Sequence, residues 1–189
     1  MWEELLHIDK EVFIFLNNLG SPAWDDFWMI MTNKWSSIPL YLLLLFFSAR
    51  TLGWKKTLLL LVSIALLITV CDQLANFFKL GVGRLRPCHD PELDSLFRLV
   101  KSSCGGKYGY FSAHAANSFA LAVFFTHFFR STYPLLSRVL ILWAVVVSYS
   151  RIYIGVHFPL DVLSGAFVGL LMGWLFFRLY IFALDRTRL

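Results

Sequence analysis

The sequence predicts an all-α polytopic membrane helix bundle, with about five spanning helices behind an N-terminal interfacial helix. Three observations carry that expectation. Hydrophobic residues fill 58% of the 189 positions and charged residues only 15%, at a mean hydropathy of +0.66, whereas ordinary soluble domains hold about 25% charged residues. The apolar residues come in long runs, on the scale of a bilayer core that needs about 20 residues. The charges fall between those runs. They form no basic face, so the net charge of +5 reads as membrane topology and not as a nucleic-acid surface. No linker or repeat divides the chain, and residues 1–189 are expected to form a single membrane-embedded domain. The Met1-Trp2-Glu3-Glu4 start has neither the basic residues nor the small-residue cleavage site of a signal peptide.

Residues 1–33 carry Glu3, Glu4, Asp9, Glu11, Asp25 and Asp26 against Lys10. Ile8, Val12, Phe13, Phe15, Leu16 and Leu19 recur there at helical spacing, which predicts an amphipathic helix lying in the interface. Trp24, Trp28 and Trp35 suit the headgroup belt. A first span is expected over about Trp35–Ala49, short and kinked at Pro39. Arg50, Lys55 and Lys56 form a tight loop before a second span from Thr57 to about Phe78. Residues 79–111 make a polar outer loop rich in Gly, Pro and charge. A third span covers about His114–Phe129, Pro134 and Arg138 bound the next loop, and the fourth span is roughly Val139–Ser150. The fifth runs from Pro159 to about Phe182.

Orientation follows from the cations. Arg50, Lys55, Lys56, Arg130, Arg138, Arg186 and Arg188 face only Asp185, so those loops and the C-terminus are expected inside and the 79–111 loop outside. The outer face holds all the unusual chemistry. Polar residues at membrane depth are costly and tend to mark function. His157 and Asp161 are four residues apart at the start of the last span, with Pro159 suited to the first turn of a helix. A carboxylate there can fix the tautomer of the imidazole and leave its other nitrogen free. On those residues alone, a structural pair at a helix end explains them equally well. Gly165, Gly169 and Gly173 continue the same face and turn it toward a close helical neighbour.

Span two ends with Asp72, Asn76 and Lys79 on one face, followed by Arg84 and Arg86; Ser112 and His114 open span three, and Arg151 closes span four. These groups are expected to meet at one shallow cup. Lys79, Arg86 and Arg151 supply cations, and arginine forks match phosphate oxygens in pairs. The start of span three offers backbone N–H groups at Ser112, Ala113 and His114. Two histidines suffice for attack on phosphorus and for protonation of the leaving oxygen. No Cys/His cluster has zinc spacing and the outer carboxylates are scattered, so no metal and no cofactor is expected.

The combination Lys79-x6-Arg86-Pro87, Ser112-x-His114 and Ser150-Arg151-x5-His157-x3-Asp161 resembles the three-part signature of the type 2 phosphatidic acid phosphatase superfamily. The resemblance spans about residues 72–165. It implies a metal-independent membrane phosphatase that works on lipid phosphates or diphosphates through a phosphohistidine. Carried over, His157 is the nucleophile, Asp161 its orienting partner and His114 the general acid, with Lys79, Arg86, Ser112, Ala113 and Arg151 holding the phosphate. One departure stands out. The family's usual Pro-Ser-Gly-His reads Phe111-Ser112-Ala113-His114 here, which keeps the amide at position 113 while restricting the turn. Arg84 has no place in the signature and is expected to face water, a second-phosphate contact being the alternative.

Cys71 lies within span two and reads as a small apolar filler. Cys88 and Cys104 bracket the outer loop and are expected to form a disulfide if the outside is oxidising, bracing Arg86 against Ser112. The expected location is a bacterial inner membrane, with the site facing the periplasm and the C-terminus cytoplasmic. The expected substrate is an isoprenoid such as undecaprenyl diphosphate. Lipid A and phosphatidylglycerol phosphate are the alternatives, as are phosphoryl transfer to an acceptor lipid and, from another class, mere binding or transport of an anionic lipid.

Overall fold

A computed structural model describes residues 2–187; Arg188, one of the cations used for orientation, lies outside them. The described residues form seven α-helices: α1 (Trp2–Asn18), α2 (Pro22–Thr32), α3 (Ile38–Leu52), α4 (Trp54–Val82), α5 (Ala113–Phe129), α6 (Pro134–Tyr153) and α7 (Pro159–Thr187). Four segments are long and apolar enough to cross a membrane: Lys34–Leu52, Trp54–Val82, Pro134–Tyr153 and Pro159–Thr187.

The helix ends correct several expected boundaries. The N-terminal region holds two helices, separated where Gly20 and Ser21 precede Pro22. Pro39 does not kink a span. It sits in the first turn of α3, after a 3₁₀ turn over Lys34–Ser37 that Asn33 caps by accepting from the Trp35 N–H, and the missing N–H costs nothing there. Pro134 likewise opens α6 and does not bound a loop. α4 extends to Val82, where Gly83 at φ 64° closes it in the left-handed conformation.

α5 is the hub. Its buried residues fall all round the helix, from Ala115 and Ala116 through Leu121 and Phe124 to Phe129. α7 packs along it through Gly165, Gly169 and Gly173, where a methyl group would collide with the carbonyls of Ser112, Ala116 and Ala120. Within lipid there is little hydrophobic drive between helices, so this backbone approach supplies the contact through packing. The outer surface is the converse. Leu42, Leu58, Leu66, Phe77, Leu142, Leu163 and Phe167 are all exposed, as a lipid-facing belt requires.

α1 does not lie free. Its inner face buries Asp9, Phe13 and Asn17, with the Phe13 ring edge-on to Phe97 and Phe158. Asn17 accepts from the Arg98 N–H at 2.7 Å and donates to the Tyr153 carbonyl at 2.8 Å. Its opposite face exposes Leu5, Ile8, Val12 and Phe15, and Leu19 just beyond its end is exposed too. Trp24 and Trp35 are exposed as a belt demands, but Trp28 turns inward and packs on Tyr149 and Tyr153.

Candidate active site

The turn between α6 and α7 builds the first half of the site. Gly155 at φ 82° reverses the chain, and any side chain there would strike Phe97 and the Arg98 carbonyl. The Val156 and His157 N–H groups then donate to the Arg151 carbonyl at 3.1 and 3.3 Å. This reversal buries His157 to 2% exposure. Asp161 follows in the first turn of α7 with no exposure. Its Oδ2 accepts the Phe158 N–H at 3.2 Å and lies 3.4 Å from His157 Nδ1. The pair closes across the helix start and not along a helix face, because His157 precedes α7. Burial, followed by the positive charges of Arg151, Arg86 and Lys79, holds the imidazole well below its ordinary pKa of 6.5.

Arg84 is not solvated. Its Nη1 donates to Asp161 Oδ1 at 3.0 Å and its Nη2 to Asp9 Oδ2 at 2.6 Å, and its guanidinium lies 4.2 Å from the centre of the Phe158 ring. Nor does it serve as a second phosphate contact, since two carboxylates occupy it. Asp9 also accepts the Leu160 N–H at 2.8 Å. Burial raises the Asp9 carboxyl above its ordinary 3.8, while Arg84 and the Leu160 amide oppose the shift.

The other cations gather nearby. Arg86 donates through Nε to the Tyr108 carbonyl at 3.2 Å and through Nη1 to Val156 at 3.4 Å. Arg151 is buried, bonded through Nη1 to Thr32 Oγ1, and its Nε has no protein partner. Lys79 feels the charges of Arg86, Arg151, Asp72 and Asp161. Among the predicted donors, Ser112 departs from expectation. Its N–H is taken by the Asp161 carbonyl at 2.9 Å and its hydroxyl caps α5 by accepting from the Ala115 N–H at 3.5 Å. The first-turn amides of Ala113 and His114 remain as the open anion-binding groups of that helix.

His114 is exposed at the start of α5 and borders a cavity of about 550 Å³. Tyr41, Leu44, Ile64, Leu121, Phe125 and Trp143 give its apolar walls, and Thr32, Lys34, Asp72 and Asn117 its polar end. Asp72 accepts from the Asn117 amide at 2.8 Å. Asn76, placed on the same face from spacing, is exposed and lines no part of this cavity.

Cys88 and Cys104 form the expected disulfide, with Cα atoms 6.3 Å apart, and Cys71 is buried and free. His89 is exposed beside the bridge, within 4.8 Å of both sulfurs; their mutual bond leaves no thiolate to share a metal with it. The N-terminal helices contribute what the motifs did not: Asp9 on Arg84, Thr32 on Arg151, and Asp25, which takes both bonds from Arg98 Nη2 at 2.8 and 3.0 Å. Each is an acid or hydroxyl in an otherwise amphipathic stretch. The available signal was its position on the inward face.

Known proteins are similar to this chain over nearly its whole length. A lipid A 4'-phosphatase of Bacteroides thetaiotaomicron is 42% identical over 94% of this chain and 79% of its own. A lipid A 4'-phosphatase of Porphyromonas gingivalis is 35% identical over 97% of this chain and 78% of its own. The crystal structure of Aquifex aeolicus LpxE superimposes with a TM-score of 0.66 at 27% identity, covering 89% of this chain and 93% of that one. Residues 56–184 match the PAP2 superfamily, and with the fold and both histidine-bearing segments in place, this chain belongs to that superfamily of metal-independent membrane lipid phosphatases.

Proposed function

We propose that this protein hydrolyses the 4'-phosphate of lipid A. The observation that carries the proposal is the likeness to two lipid A 4'-phosphatases across 94% and 97% of the chain. It moves the isoprenoid diphosphate expected from the sequence to second place. The cavity beside His114 supports the same reading, because its apolar walls suit acyl chains while its polar end suits a headgroup.

The chemistry we assign is in-line attack. Nε2 of neutral His157 forms a bond to phosphorus as the P–O bond to the sugar breaks, and His114 gives the leaving oxygen its proton. Asp161 holds the imidazole tautomer and steadies the charge that develops on it. Lys79, Arg86, Arg151 and the amides of Ala113 and His114 take the charge on the phosphoryl oxygens. Deprotonated His114 then draws a proton from water, whose oxygen attacks phosphorus, breaks the N–P bond and releases inorganic phosphate. In this reading α3 to α7 cross a bacterial inner membrane. The fifth crossing is α5, whose 17 residues span about 25 Å, and α1 and α2 lie at the periplasmic interface.

The test is phosphate release by purified protein in detergent with excess chelator. Doubly phosphorylated lipid A, undecaprenyl diphosphate, phosphatidylglycerol phosphate and phosphatidic acid are compared, with mass spectrometry to locate the phosphate lost. Lipid A losing its 4'-phosphate fastest, with His157→Ala inactive, is the expected result. Preference for another lipid overturns the substrate assignment, and turnover by His157→Ala overturns the mechanism.

A further inference from the structure

We infer that Asp9, on the N-terminal helix and outside residues 56–184 that match the family, is a positioning residue for the histidine nucleophile. The inference rests on the assignment of His157 as that nucleophile. Asp9 touches neither His157 nor the phosphate cradle; it acts through Arg84 and through the start of α7.

The first route is charge. Arg84 divides its two terminal nitrogens between two buried carboxylates, Nη2 to Asp9 at 2.6 Å and Nη1 to Asp161 at 3.0 Å. Attack on phosphorus places positive charge on the His157 ring, and Asp161 is the anion that must stabilise it. A single arginine facing Asp161 alone would cancel that anion. With Asp9 present the three groups carry a net negative charge, and Asp161 keeps its field for the histidine. The second route is geometry. Splitting the guanidinium fork confines Arg84 to Oδ1 of Asp161, so Oδ2 stays with His157 Nδ1 and the Phe158 N–H. Freed from Asp9, the fork is able to take both Asp161 oxygens in the bidentate mode arginine favours, which draws Oδ2 off the histidine.

The third route is the backbone. Oδ1 of Asp9 accepts the Leu160 N–H at 2.8 Å, an otherwise orphan donor in the first turn of α7, one residue before Asp161. Asp9 thus fixes the register of the helix start that carries the orienting carboxylate. Phe13, one turn along α1, packs edge-on to Phe158 at 5.3 Å, so α1 backs the nucleophile with both a charge and a ring.

The experiment compares Asp9→Asn, Asp9→Glu and Lys10→Ala in full-length protein. Lys10 lies on the same helix but bonds Asp90 and Glu92 in the outer loop, so its loss loosens α1 without touching Arg84. A short-chain phosphatidic acid serves as substrate, so the outcome does not depend on the lipid A assignment; His157→Ala is run beside it. Asp9→Asn keeps an acceptor for Leu160 and loses the charge. Its kcat is expected to fall about tenfold or more, by analogy with the loss of an outer partner behind a metal-ligating histidine. KM and inhibition by inorganic phosphate are expected to stay within about twofold. Asp9→Glu is expected to recover part of kcat, and Lys10→Ala to stay near the parent.

Folded Asp9→Asn with parental kcat overturns the inference while an inactive His157→Ala leaves the mechanism standing. An equal loss in Lys10→Ala, or a KM rise that matches the fall in kcat, shows general docking of α1 and also overturns it. If Asp9→Asn does not fold, Asp9→Glu carries the test: reduced kcat at unchanged KM supports the inference, and parental kcat or a parallel KM change rejects it. Turnover by His157→Ala fails the underlying reading instead.

Discussion

A histidine that attacks phosphorus has to be unprotonated, and His157 sits where a proton is expensive to place. Burial, then Arg151, Arg86 and Lys79, push its pKa well below 6.5. In the free enzyme the imidazole therefore stays neutral through and below the ordinary histidine range. The acid limb of kcat/KM, corrected for the substrate's own second ionisation at about pH 6, is expected below pH 6.5. The same shift has a stability sign. The unfolded chain binds a proton at its ordinary value while the folded chain resists it, so the contribution is fully present above pH 6.5 and is lost as pH falls toward the folded value. A corrected limb at or above pH 6.5 contradicts this placement. At this scale the motif residues were legible because their chemistry is written in residue type and spacing: Lys79, Arg86, His114, Arg151, His157 and Asp161 all reach one end of the bundle. Ser112 shows the limit. Its identity was legible, but its amide goes to the Asp161 carbonyl, a contact between helices that no local spacing encodes.

Among the elements, the α5–α7 pair holds the two histidines in register. α5 carries His114 at its start, and α7 begins two residues after His157. The glycines that let the two backbones meet are therefore part of the site's geometry. At Gly169 a Cβ would drive into the Ala116 carbonyl and lie 2.9 Å from Phe119 Cβ, while at Gly81 it would meet nothing within 4 Å. Gly169→Val is expected to destabilise by about 2 kcal/mol or more through overpacking, and to lower activity with it. Gly81→Ala is expected to change stability by no more than about 0.5 kcal/mol. Thermal unfolding in detergent checks both, and equal midpoints for the two variants contradict the packing argument. The Gly165, Gly169, Gly173 stripe was visible as spacing alone. Helix starts were less so, because Pro39 and Pro134 carry the same residue type whether they break a helix or open one; the difference lies in which N–H groups lack partners.

For the whole molecule, residues 1–33 were the least legible part, since their polar residues bond to segments far along the chain. Asp9 pairs with Arg84, Asn17 with Arg98 and Tyr153, and Thr32 with Arg151, and a sequence pattern carries no address for such partners. Charge at the scale of the molecule is different, because it needs only sums. Of the 12 acidic residues, Asp185 alone shares an end of the bundle with Arg50, Lys55, Lys56, Arg130, Arg138 and Arg186. Apart from Asp72 within α4, the remaining carboxylates gather at the opposite end with the site, where Asp9, Asp25, Asp90, Glu92 and Asp161 offset Lys10, Arg84 and Arg98. Basic residues in short loops resist translocation while acidic ones matter little, and Arg50, Lys55, Lys56, Arg130 and Arg138 flank the short α3–α4 and α5–α6 connections, so that end is expected to be cytoplasmic. The disulfide agrees, because Cys88 and Cys104 lie at the other end and such bonds persist where thiols are not kept reduced. Single cysteines make the orientation measurable: Thr51 and Ser102 are both exposed, one in the last turn of α3 and one in the outer loop, while Cys71 is buried. A membrane-impermeant maleimide is expected to label Ser102→Cys in spheroplasts, and to reach Thr51→Cys only after permeabilisation. The reverse pattern turns the site to the cytoplasm and removes the periplasmic lipid as its substrate.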